Sequence, residues 1–164
     1  DDPSLTVRDL GIARQPVRIV VSRRLDMPLM SQLAQTARDI PVWICHGPGL
    51  DPILHRTWTD LGAILIECDV QHGQIDPTAL LAALGDNGLT RIFCEGGGGL
   101  AASLLAHDRV DDLIGFTAGM TIGAEGLPAI GAIGLTRLSD APRFTLQDVR
   151  AIGPDILHRW TRVG

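Results

Sequence analysis

The chain has 164 residues, a formal net charge of −5, and 45% apolar against 20% charged residues, the composition of one globular domain rather than of a disordered or fibrous chain. No apolar run approaches the roughly 18 residues that a membrane-spanning helix needs. No signal-peptide pattern opens the chain, and the acidic balance argues against a general nucleic-acid binder, which needs a basic face.

In chain order, apolar runs alternate with helical patterns. Residues 17–21 (VRIVV) read as a buried strand after a turn at Gln15-Pro16, and 28–38 as a short amphipathic helix. Residues 41–45 (PVWIC) read as a strand ended by the loop HGPGLDP, 51–60 as a helix, and 63–68 (AILIEC) as a third strand. Asp76 is the expected N-cap of a helix running to about Leu84, with Pro77 in its first turn and Asp86-Asn87-Gly88 as its stop. Residues 90–94 (TRIFC) read as a strand that runs into four glycines and a helix through about Ala106; 112–118 is a further strand. Residues 119–135 form a Gly/Ala-rich loop, either a mobile surface loop or a flap over a ligand. The tail segments 142–150 and 155–163 alternate around Gly153-Pro154 as an antiparallel hairpin. The βα rhythm implies an α/β fold, a largely parallel sheet with helices on both faces, closed at one edge by that hairpin.

Several chemistries are excluded. Lys and Tyr are both absent, which removes lysine Schiff bases, a P-loop lysine and Tyr/Lys proton transfer. There is no G-x-S-x-G elbow, no H-E-x-x-H and no C-x-x-C. Cys45, Cys68 and Cys94 each sit in an apolar run, which reads as buried strand thiols in a reducing, cytoplasmic setting; no metal-ligand spacing is present. Trp43, Trp58 and Trp160 are scattered and read as packing residues.

The sharpest motif is Cys94-Glu95-Gly96-Gly97-Gly98-Gly99-Leu100-Ala101-Ala102-Ser103. Glycines let a ligand approach the backbone without Cβ obstruction, and free N–H groups at a helix start favour an anion such as a diphosphate. Glu95, at the expected carboxyl end of a strand, either holds a sugar hydroxyl, shuttles a proton, or is a solvated strand-end acid. Ser22-Arg23-Arg24 after the first strand suits a phosphate, including the 2′-phosphate that separates NADP from NAD. Arg8 is a similar phosphate candidate.

The opening Asp1-Asp2-Pro3-Ser4-Leu5-Thr6-Val7-Arg8 resembles the D-D-P-x-L-T-x-R signature of the riboflavin-biosynthesis pyrimidine reductases. The match continues through Gln15-Pro16-Val17-Arg18-Ile19-Val20-Val21, Glu95-Gly96-Gly97, Leu100-Ala101, Val110-Asp111-Asp112-Leu113, the stretch 119–131, Ala141-Pro142-Arg143-Phe144 and Gly153-Pro154-Asp155. The resemblance implies a dihydrofolate-reductase-like three-layer mixed sheet with a C-terminal antiparallel hairpin. It also implies NADPH-dependent reduction of the ribosyl group of 5-amino-6-(5-phosphoribosylamino)uracil to a ribityl group. By analogy Asp1, Ser22 or Arg23, and Gly97, Gly98, Gly99, Leu100, Ala101, Ala102 and Ser103 contact the cofactor. Leu5, Arg8 and Glu95 contact the substrate, and Glu95 is the catalytic candidate. Gly98-Gly99 stands where the family usually has Pro-Thr, and Ser22-Arg23 where it has Asp-Ser. The resemblance further implies a homodimer, and one reductase domain over 1–164 truncated at its N-terminus. A central strand bearing a lysine is then expected upstream, either with or without a fused deaminase, and the fragment alone is expected to be a weak or inactive reductase. The alternatives are a non-catalytic nucleotide- or phosphate-binding module and a dihydrofolate-reductase-like enzyme with another substrate.

Overall fold

A computed structural model describes residues 2–163, which fall into two compact units that part between Thr90 and Arg91. The first unit is built on three parallel strands, β1 (Arg18–Val21), β2 (Val42–His46) and β3 (Ile64–Glu67), in spatial order β1-β2-β3. β2 is central, and Val42, Ile44, Cys45 and His46 are buried there, as a near-continuous apolar run in a parallel sheet requires. Helix α1 (Gln32–Gln35) begins at Ser31, whose hydroxyl accepts the Ala34 N–H. It is one turn long, shorter than the pattern over 28–38 predicts. Beyond it the chain continues as turns, in which the Arg18 guanidinium takes the Thr36 carbonyl at 3.0 Å and the Ile40 carbonyl at 2.5 Å. Pro41 then stops any continuation.

Helices α2 (Pro52–Asp60) and α3 (Pro77–Asp86) begin as the sequence reads, each with an aspartate N-cap followed by proline. Asp51 Oδ1 accepts the Ile53 N–H at 2.8 Å, and Asp76 Oδ1 accepts the Ala79 N–H at 2.7 Å. α3 stops at Asn87, with Gly88 in the left-handed region. A short hairpin of β4 (Val70–Gln71) and β5 (Gln74–Ile75) turns at His72 and Gly73, both at positive φ, as a type I′ turn demands; the sequence reading missed it. The core of this unit gathers Leu25, Leu33, Val42, Ile44 and the fully buried Trp58.

The second unit contains α4 (Gly98–Ala106) and an antiparallel sheet of β6 (Asp112–Thr117), β7 (Phe144–Ile152) and β8 (Asp155–Arg162), in order β6-β8-β7. The tail hairpin is as expected, with Ile152 opposite Asp155 across Gly153-Pro154, and with a bulge between Leu146 and Asp148. Residues 118–143 form the long loop, with single 3-10 turns at Gly123–Glu125 and Leu138–Asp140. One expected strand does not form. Residues 91–97 have no ladder partner among the described residues, and Phe93 is 72% exposed. An extended segment becomes a strand only where a neighbour takes its N–H and C=O groups. Cys94 is therefore exposed rather than buried, while Cys45 and Cys68 are buried as expected. Parallel strands, helices and the antiparallel tail give the mixed α/β composition that the sequence implies, but in separate sheets rather than in one sheet closed at its edge by the hairpin.

Replacing Asp76 with Ala removes the α3 cap and is expected to cost about 1 kcal/mol, measured as a lower denaturant midpoint with an unchanged slope.

Candidate functional site

The glycine run builds an open helix start. Gly97 is the N-cap of α4 and gives no side-chain cap, so the N–H groups of Gly98, Gly99 and Leu100 have no acceptor among the described residues. The first helical bond is Ala101 N–H to Gly97 O, at 3.2 Å. A Cβ placed on Gly97 or Gly99 would meet nothing within 4 Å, so the turn is not packed shut. Gly98 serves another purpose. A Cβ there would stand 2.6 Å from the Pro128 carbonyl oxygen, and Gly131 N–H donates to Gly98 O at 2.9 Å. Loop 118–143 is thus pinned to the helix start by backbone contact that any side chain at Gly98 would break. Among the other expected cofactor residues, Ala102 is buried, while Ala101 and Ser103 are half-buried. Their place inside α4 leaves the first-turn amides as the free donors.

Glu95 is exposed, two residues ahead of the α4 cap. It ends an extended segment rather than a paired strand, and its carboxylate has no hydrogen-bond partner among the described side chains.

In the first unit a cleft of about 330 Å³ opens at the carboxyl ends of β1, β2 and β3, lined by Arg23, Arg24, Pro48, Asp51 and Val70 among others. Ligands of open α/β sheets bind at this edge. Ser22 and Arg23, left as alternatives by the sequence, differ in availability. Ser22 is buried and donates its hydroxyl to Asp26 Oδ1 at 2.6 Å. That bond, ahead of Arg24 and Arg23, holds the Asp26 carboxyl below the usual carboxylate range. Arg23 is exposed and lines the cleft. Arg24 was named from sequence together with Ser22 and Arg23; Asp51 and Val70 were not, although the loop HGPGLDP at the end of β2 was the signal that a strand-end cleft forms here.

Leu5 and Arg8 lie on an irregular segment. Leu5 packs against the core of the first unit, so its side chain is committed to the fold. Arg8 is exposed, and its Nη1 donates to Ser4 Oγ at 2.7 Å. Asp1 lies outside the described residues. Cysteine chemistry finds no support in the first unit, where burial pushes the Cys45 thiol up to about 12. No cluster of three or more His, Cys, Asp or Glu that could hold a metal occurs among the described residues.

The RibD C-terminal domain family matches residues 1–158. The chain belongs to that family. It is 30% identical over 162 residues to the riboflavin biosynthesis protein RibD of Escherichia coli, covering 95% of this chain and 44% of that protein. RibD of Acinetobacter baumannii superposes with a TM-score of 0.79 at 24% identity, over 99% of this chain and 44% of that one. A Thermotoga maritima protein described as a diaminohydroxyphosphoribosylaminopyrimidine deaminase/5-amino-6-(5-phosphoribosylamino)uracil reductase superposes with a TM-score of 0.72 at 20% identity, over 99% and 42%. The chain therefore spans less than half the length of these relatives, and the superpositions support the dihydrofolate-reductase-like fold. No helix among the described residues is long and apolar enough to cross a membrane.

The two glycines of the RibD-family turn are expected to respond differently to alanine. Gly98→Ala forces the 128–131 backbone to move and is expected to cost about 1–3 kcal/mol. Gly99→Ala meets open space and is expected to leave stability unchanged or raise it by about 0.5 kcal/mol. Thermal unfolding of the two variants checks this.

Proposed function

We propose that this chain is the reductase part of a riboflavin-biosynthesis protein and reduces the ribosyl group of 5-amino-6-(5-phosphoribosylamino)uracil to a ribityl group with NADPH. Family membership supports the reaction class, and the uncapped, open start of α4 is the observation that carries the reading. Three first-turn amides without acceptors suit the diphosphate of a dinucleotide, because donors and helix dipole point the same way. Gly97 and Gly99 leave room for close approach. Arg23, on the strand-end cleft, offers the 2′-phosphate a bidentate guanidinium; Ser22 is spent on Asp26 and serves that loop instead. When bound, the reduced nicotinamide supplies hydride to C1′ of the sugar. In our reading Arg8 holds the substrate phosphate, and Leu5 shapes the substrate segment through its backbone. The Glu95 carboxylate accepts a hydrogen bond from a ribose hydroxyl and orients the sugar. Ala101, Ala102 and Ser103 support the cofactor segment by building the first turns of α4. The cofactor, the phosphoribosylaminopyrimidine substrate and the homodimer all belong to this proposal, as does the placing of 1–164 as one reductase domain. Turnover by the chain alone is expected to be weak or absent, because residues 91–94 lead into Glu95 without a ladder partner among the described residues to fix them.

Glu95→Gln is expected to lower turnover about tenfold or more, the scale for losing a hydrogen bond to a charged group, with NADPH affinity within about twofold. Arg23→Ala is expected to weaken NADPH about tenfold or more while leaving NADH nearly unchanged, as loss of a charge-assisted bond implies. NADPH oxidation assays and fluorescence titrations read both. Wild-type protein that binds NADPH yet never oxidises it would replace the reductase reading with a binding module.

A further inference from the structure

Residues 2–16 contain no helix or strand, yet side-chain hydrogen bonds hold them at three points. Asp2 accepts the Gln32 N–H on both carboxylate oxygens, at 3.0 and 3.1 Å. Arg18, 2% exposed, donates to the Ser4 carbonyl at 3.3 Å. The third point is Gln15. Val7 N–H donates to Gln15 Oε1 at 2.8 Å, and Gln15 Nε2 donates back to Val7 O at 3.1 Å and to Ile12 O at 3.3 Å. One carboxamide therefore gives Val7 both of the bonds that a neighbouring strand would give.

The residue that follows Val7 is Arg8. The backbone on either side of it is bent into the left-handed region at Leu5 (φ 50°) and Asp9 (φ 61°). Non-glycine residues persist there only when their surroundings hold them. Among the described residues, Arg8 itself is tied only by its bond to Ser4 Oγ. The place from which its guanidinium reaches into solvent is thus set by the clamp on its neighbour.

We propose that Gln15 is a positioning residue for phosphate recognition: its two-point clamp on Val7 fixes the backbone from which Arg8 presents its guanidinium to a phosphorylated sugar. The inference rests on the reading of Arg8 as a phosphate contact. Gln15 touches no ligand in this scheme and acts only through Arg8.

The test uses ribose 5-phosphate as the probe and a double-mutant cycle. Gln15→Ala is expected to weaken ribose 5-phosphate about tenfold, to leave NADPH within about twofold, and to speed hydrogen exchange at the Val7 amide. Gln15→Glu keeps an acceptor for the Val7 N–H and is expected to fall between wild type and Gln15→Ala. In an Arg8→Ala background, Gln15→Ala is expected to add nothing further. Additive losses in the double variant, or equal losses for ribose 5-phosphate and NADPH, would make Gln15 merely structural and overturn the proposal. Unchanged ribose 5-phosphate affinity in Gln15→Ala, with a loss in Arg8→Ala, would overturn it alone. Unchanged affinity in Arg8→Ala would instead remove the phosphate reading of Arg8, and the proposal with it.

Discussion

A helix that starts on glycines leaves its first amides to whatever binds there. In α4 the N-cap offers no hydroxyl or carboxylate, and the three amides that follow find no acceptor among the described residues. Unsatisfied donors at a helix start carry a cost that water or an anion relieves. The other consequence of the same glycines is mechanical. Gly98 admits the Pro128 carbonyl to a distance that no Cβ tolerates, and the long loop is bonded back onto the helix start through Gly131. The run thus does two separate jobs, a loop anchor at Gly98 and open approach at Gly97 and Gly99.

The first unit meets the opposite problem. Its N-terminal residues have no ladder of their own and are ordered by borrowed side chains. The buried Arg18 guanidinium is the most economical of these. It has no hydrogen-bonded carboxylate partner among the described residues and binds the carbonyls of Ser4, Thr36 and Ile40 and the hydroxyl of Thr36. Burial lowers its pKa, yet arginine's intrinsic basicity keeps it charged. A charge solvated by carbonyls fixes the end of α1 and the start of the chain together, so a single side chain couples the parallel sheet to the segment that bears Arg8.

Much of this was legible in the sequence where a local signal exists. Asp76-Pro77 announces its helix by chemistry confined to four residues, and Gly153-Pro154 announces the tail turn. The apolar runs of β1, β2 and β3 read as parallel strands, and β2, the central one, is buried along most of its length. The segment 90–94 shows the limit. Its composition is that of a strand, but strand formation is a property of pairs, and no partner lies beside it among the described residues. At the candidate site the glycine run and Arg23 were readable. The Ser22–Asp26 bond, the Gly98–Pro128 contact and the Gln15 clamp were not, because each joins residues that the pattern alone does not bring together.

The central claim is that the α4 start receives the diphosphate of a reduced nicotinamide dinucleotide. An amide-resolved NMR titration of the chain with NADPH tests it most directly. The account expects saturable shifts at the Gly98, Gly99 and Leu100 amides, the largest in the second unit. Saturable binding that leaves those three amides unmoved would contradict it.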